Sequence, residues 1–159
     1  MKTIQVAKAI YKQTGESTKI NELGMREMQA KAFEKRTAQY LLLKAPPASG
    51  KSRALMFLAL DKLNNQGINK VIVAVPEKSI GGSFMETDLS KYGFFIDWKL
   101  NDKYNLCTPG LDNAKGKVDA FKKFMDNGEK ILICTHATLR FACEQIEDEK
   151  FNDTLIAID

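Results

Sequence analysis

Residues 41–57 read LLLKAPPASGKSRALMF. An apolar run breaks at two prolines, a glycine, a lysine and a serine follow, and a helical pattern then begins. Prolines cannot continue a ladder or a helix interior, and glycine reaches backbone conformations closed to other residues. The stretch therefore commits the chain to a strand, a sharp basic turn and a helix packed back on the strand.

The rest of the chain repeats that plan. The apolar runs QYLLLKA, KVIVAVP, FFIDWKL, KILICT and TLIAID are expected as five strands. Between them lie helical patterns: SGKSRALMFLALDKL, GSFMETDLSKYG, NAKGKVDAFKKFMDNG and ATLRFACEQ. Asp112 or Asn113 is the expected N-cap of the third. Residues 3–13 are expected as a short helix with Ile4, Ala7, Ile10 and Tyr11 on one face. A second helix, MREMQAKAFEKR, carries Met25, Met28, Ala32 and Phe33 as its stripe. Strands apolar on both faces, alternating with helices, indicate an α/β fold: a parallel sheet covered on both sides. Ligands in such sheets bind where strands end and helices begin. Residues 45–52, 76–79 and 135–138 and Asp159 fall at such ends and are expected along one sheet edge. The expected organisation is an N-terminal helix and connection over 1–24, then one domain over 25–159.

The chain has 159 residues, 44% of them apolar, enough for one ordinary core. Its net charge of +4 permits a polyanionic partner without requiring one. Cys107, Cys134 and Cys143 lie far apart, and His136 is the only histidine, so zinc-ligand spacing is lacking. Reduced thiols in a cytoplasmic protein are the expected state. No run has signal-peptide character or the apolar length of a membrane span.

The turn APPASGKS matches the phosphate-loop pattern except that Ala45 stands at its first glycine. A chance GKS in a surface turn is the bland alternative, but this one sits between strand and helix, where the chemistry needs it. Gly50 lets backbone N–H groups turn toward an anion, Lys51 can reach β- and γ-phosphates, and the Ser52 hydroxyl can ligate Mg²⁺. The helix opening there adds its unpaired N–H groups and dipole. The expected ligand is a nucleoside triphosphate with magnesium. Asp159 ends an apolar strand, as the magnesium-holding aspartate of phosphate-loop enzymes does.

With these elements placed, the chain resembles the first RecA-like lobe of superfamily two, DEAD/DEAH-like helicases, from about Leu23 to Asp159. MREMQ resembles the upstream R-x-x-Q element, APPASGKS motif I, VAVPEKS motif Ia, ICTHATLR motif Ib and its neighbour, and LIAID the start of motif II. The family's motif I commonly opens with alanine, which accounts for Ala45. Pro47 and Ala48 depart from its usual threonine and glycine, and no aromatic stands just upstream of Arg26 to stack on adenine. The resemblance implies an incomplete RecA-like phosphate-loop NTPase domain using ATP and Mg²⁺. Arg26, Gln29, Pro47, Ala48, Ser49, Gly50, Lys51, Ser52 and Arg53 are the implied nucleotide site. Lys51 and Asp159 are the catalytic pair, and Ser52 and Asp159 the Mg²⁺ ligands. Lys78, Ser79, Thr135, Thr138 and Arg140 are the implied nucleic-acid contacts, with DNA preferred and RNA the alternative.

The family's catalytic glutamate, its motif III and its second RecA-like lobe would lie beyond Asp159. The expected whole is therefore a helicase or translocase, similar in flavour to restriction-system motors, of which this chain alone hydrolyses ATP poorly. A sheet edge left open by missing neighbours would favour self-association. A phosphate-loop kinase and a non-catalytic nucleotide-binding interaction module are the competing readings. The first lacks an arginine cluster, since Arg36, Arg53 and Arg140 are scattered.

Overall fold

A computed structural model describes residues 3–10, 19–109 and 113–159. These form two units, one of residues up to Gln66 with Asp88–Trp98, the other of Gly67–Thr87 with Lys99–Asp159. Each is a mixture of helices and parallel strands.

In the first unit, strands β1 (Ala7–Ile10) and β2 (Leu41–Lys44) pair in parallel, Ala7 opposite Leu41 and Ile10 opposite Lys44. Residues 7–10 are thus a strand, not part of the helix expected over 3–13; Tyr11 and the rest of that span lie outside the described residues. The apolar spacing of Ile4, Ala7 and Ile10 fits a helix face. Non-local pairing overrides it, because β2 needs partners for its backbone groups and Ala7 N donates to Tyr40 O at 2.9 Å. Strand β2 is also less buried than its apolar run suggests, with Leu42 53% exposed.

Helices α1 (Glu27–Glu34) and α2 (Lys51–Asn65) supply the unit's core. Met25, Met28 and Ala32 are buried, as are Ala54, Met56, Phe57, Ala59 and Leu60. Met28 and Ala54 pack together with Leu43 and Ala45. At the far end of α2 the buried Asp61 carboxylate accepts from Asn65 Nδ2 (2.8 Å) and Gln66 Nε2 (2.6 Å) and lies 3.6 Å from Arg36 Nε. Gln66 Nε2 also donates to Arg36 O at 3.2 Å, which ties the ends of α1 and α2 together.

The segment Asp88–Trp98 closes this core. Phe94 stacks edge-on against Phe57 (centroids 4.7 Å) and Phe33 (5.9 Å). Residues 94–100 therefore do not form the expected third strand: Phe94, Trp98 and Leu100 are buried without a ladder. The Asp97 carboxylate accepts from Ser90 N at 2.8 Å, bending the segment into a loop. The helix expected over 82–93 is likewise replaced by two 3-10 turns, Lys78–Phe84 and Ser90–Tyr92, with Met85 extended after the first.

In the second unit, β3 (Lys70–Val75) lies between β4 (Ile131–Thr135) and β5 (Thr154–Ile158), all parallel. Val71, Ile72, Val73, Ala74 and Val75 are wholly buried, as a central parallel strand requires. Helices α3 (Ala114–Asp126) and α4 (His136–Gln145) contribute Phe121, Phe124, Leu139 and Ala142 to a core with Ile72, Leu132 and Leu106. Asn113, one of the two expected caps, accepts from Gly116 N at the start of α3. Strand β5 pairs with β3 on one side, and Ile156 and Ile158 are exposed.

The strands thus fall into two sheets rather than the single one expected. The three cysteines are free. Burial pushes the Cys134 thiol up to about 12, so it stays protonated. Among the described residues, no helix is long and apolar enough to cross a membrane.

Candidate functional site

The phosphate loop joins β2 to α2. Gly50 takes the left-handed conformation (φ 89°, ψ 32°) at the N-cap of α2, where the pattern needs glycine. Ser49 Oγ donates to Pro46 O at 2.7 Å, closing the loop on itself. The Lys51 ammonium folds back over the loop and donates to Ala45 O at 3.3 Å. Ser52 follows in the first helical turn, half-buried. Ammonium, hydroxyl and the N–H groups of a helix start form a donor set that fits a polyphosphate with a hard divalent cation.

Ala48 is left-handed too (φ 57°). A residue with a Cβ costs about 1–2 kcal/mol there. Glycine would remove that cost but lose about 0.5–1 kcal/mol more entropy on folding. Ala48→Gly is therefore expected to stabilise the chain by about 0.5–1 kcal/mol, read as a higher urea midpoint. A lower midpoint would mean that position 48 is not left-handed in solution.

Gln29 is 2% exposed, and both ends of its amide are engaged. Its Oε1 accepts from Arg26 N at 2.8 Å, the reach-back half of a capping box at the start of α1. Its Nε2 donates to Gly50 O at 3.1 Å. One side chain therefore caps α1 and holds the phosphate loop. Arg26 itself is exposed at the α1 N-cap. Pro47 is exposed, and the exposed Arg53 places its guanidinium 6.0 Å from the centre of the Tyr92 ring. The motifs did not point to Tyr92. It lies far along the chain, and only the SKYGF turn signal hints that the segment reverses direction.

In the second unit, the ends of β3, β4 and β5 share one sheet edge, as their parallel register demands. Asp159 continues the pairing, its N donating to Ala74 O at 2.9 Å. His136 Nε2 lies 3.1 Å from Asp159 O, bridging the ends of β4 and β5. Thr135 caps α4: its Oγ1 accepts from Thr138 N at 3.3 Å and lies 3.2 Å from Thr138 Oγ1. Thr138 is buried, so its hydroxyl serves this cap. Arg140 is exposed and lies 3.4 Å from Glu144. Ser79 Oγ is 3.5 Å from Glu77 Oε2, and Lys78 and Ser79 line an open cleft of about 680 Å³ with Asn101, Asn105, Cys107 and Thr108.

The structure thus gathers Gln29, Gly50, Lys51, Ser52 and Arg53 in the first unit. Thr135, Thr138 and Asp159, with Lys78 and Ser79 at the start of the turn after β3, fall at strand ends in the second.

Comparison with known proteins gives one curated relative. The chain is 64% identical over 149 residues to "Putative ATP-dependent helicase YeeB" of Bacillus subtilis (strain 168). The match covers 94% of this chain and 24% of that protein, so the chain spans about a quarter of its relative's length. No family model matches the chain. No solved structure matches it either. The likeness to helicases carried by the motifs is met by this homologue, and the mixed, parallel α/β architecture is compatible with a RecA-like fold.

Proposed function

We propose, taking homology to part of a helicase as the premise, that this chain is the nucleotide-binding portion of a nucleic-acid-dependent ATPase that moves along or unwinds its polynucleotide. The observation that carries the reading is the phosphate loop: left-handed Gly50, the Lys51 ammonium drawn across the loop, and buried Gln29 clamping the Gly50 carbonyl. Lys51 would neutralise charge on the transferring phosphoryl group, and Ser52 would hold Mg²⁺. Asp159, in the second unit, is the motif II carboxylate. Preorganised donors of this kind carry most of phosphoryl-transfer catalysis.

The ends of β3 and β4 are the proposed nucleic-acid face. Lys78, Ser79 and Arg140 would meet phosphates, and Thr135 and Thr138 would shape the turn that meets the strand. Contacts to phosphates bind without regard to sequence and weaken with salt. DNA is the preferred polynucleotide, and the cytoplasm the proposed compartment.

The test is binding of a fluorescent ATP analogue to the chain with magnesium, repeated with EDTA, and then salt-dependent binding of single-stranded DNA and RNA. Analogue binding that EDTA abolishes supports the nucleotide site. No binding, or binding indifferent to magnesium, would overturn it. Equal affinity for RNA would remove the preference for DNA.

A further inference from the structure

The turn that follows β3 holds two adjacent glycines with different consequences. A Cβ on Gly81 would sit 2.5 Å from Cys107 Cβ, so glycine there lets the turn Lys78–Phe84 close onto residue 107. A Cβ on Gly82 would meet nothing within 4 Å, and Gly82 is not left-handed. That turn and residues 100–109 together line the cleft of about 680 Å³. Every residue lining it belongs to the second unit.

Asn105 lies in the cleft wall, 7% exposed. Its main chain is tied down: N donates to Asp102 O at 3.2 Å, and O accepts from Thr108 Oγ1 at 2.9 Å. Its amide oxygen accepts from Cys107 N at 3.2 Å, which fixes the two ends of the amide. The Nδ2 end has no protein partner among the described residues. A buried donor left without an acceptor is costly and rare in native proteins, so this one calls for an acceptor supplied from the cleft.

The rest of the lining narrows the ligand. Leu100, Pro109 and Met85, the last 65% exposed, form an apolar wall, and a thioether is a soft partner for a flat π system. Glu86 and Asp102 line the cleft too, and their charge opposes a phosphate inside it. Burial pushes the Cys107 thiol up, so it adds no charge. A neutral planar ring bearing an acceptor meets these conditions, whereas an anion does not. Lys78 and Ser79 line the same cleft, so a strand held there by its phosphates carries its bases to the opening.

We propose that this cleft receives one unstacked base of the bound polynucleotide, its ring carbonyl accepting from Asn105 Nδ2 while Lys78 and Ser79 meet the adjoining phosphate. This rests on the nucleic-acid reading above and adds to it a contact that senses the base. Bases of single strands are splayed out and read on their edges in this way.

The test measures the affinity of the chain for oligothymidylate and for an abasic oligonucleotide of equal length, by fluorescence anisotropy at one salt concentration. The unmutated chain is expected to prefer oligothymidylate. Gly82→Leu puts a side chain into the open space of the cleft and is expected to lower that preference about tenfold. Asn105→Asp keeps an oxygen for Cys107 N, removes the donor, and is expected to do the same. Both oligonucleotides carry the same phosphates, so the added charge of Asp cancels in the ratio. Circular dichroism checks folding, and either folded variant decides alone. A preference unchanged in a folded variant overturns the base site. An unmutated chain that binds both oligonucleotides equally also overturns it, while the phosphate contacts stand. If that chain binds neither, the nucleic-acid reading fails and the base site falls with it.

Discussion

Phe57→Ala is expected to destabilise the chain by about 3–5 kcal/mol, the largest effect of any single truncation considered for this protein. Phe57 is 1% exposed in the middle of α2, and its ring meets Phe94 edge-on at 4.7 Å. Truncation removes the transfer energy of the ring and leaves a cavity between a helix and a loop, neither of which can easily collapse. It also removes an aromatic pair worth about 0.5–1.5 kcal/mol beyond its buried area. Total stabilities of single domains run at about 5–15 kcal/mol, so the loss would consume much of the margin. The measurement is urea unfolding followed by Trp98, the chain's one tryptophan, wholly buried in the same unit. A shift below about 1 kcal/mol would mean that Phe94 does not close this core in solution.

Lys51→Ala is expected to weaken magnesium-dependent ATP binding by at least tenfold while leaving the fold in place. The ammonium lies at 3.3 Å from Ala45 O, a long hydrogen bond to a neutral carbonyl. A phosphate oxygen is the better partner, because it offers the ammonium a full opposite charge and a shorter bond, where the carbonyl offers only a dipole. The bound nucleotide therefore gains most of what the lysine can give, and the free protein loses little without it. The binding assay reads the first part and Trp98-detected unfolding the second. Equal affinities in mutant and parent would mean that Lys51 does not face the nucleotide. A large fall in stability would mean that the lysine serves the loop's own structure.

What was legible in the sequence is what local pattern controls. The loop, α2, and strands β3, β4 and β5 each announce themselves within a short window, by apolar runs that stop at Pro, Gly or Asp. Asn113 caps α3 as its side chain and position predict. The misread segments are those whose conformation is decided by a distant partner. Residues 7–10 follow the open edge of β2, and the segment up to Trp98 follows Phe94 into a core built from α1 and α2. Alternating apolar residues look the same whether they feed a ladder or fill a gap, so FFIDWKL gave no warning. In the site, the glutamine motif put Gln29 near the nucleotide, but its bond to Gly50 O depends on how α1 lies across the loop. The approach of Tyr92 to Gly24 and Arg53 was invisible for the same reason: the three come from separate parts of the chain.

The first unit is discontinuous, taking Asp88–Trp98 from beyond the start of the second. Its order of assembly on the ribosome follows from that. Residues up to Gln66 leave the exit tunnel with β2, α1 and α2 already made, yet Phe33 and Phe57 have no ring to pack against until Phe94 emerges. At about 5–20 residues per second the delay is on the order of a few seconds, long compared with the microseconds in which a helix forms. During that interval the nascent chain would carry a formed phosphate-loop helix over an open apolar face. Slower translation across residues 67–94 is expected to lengthen that interval, and synonymous codon changes there are expected to alter it without changing a single side chain.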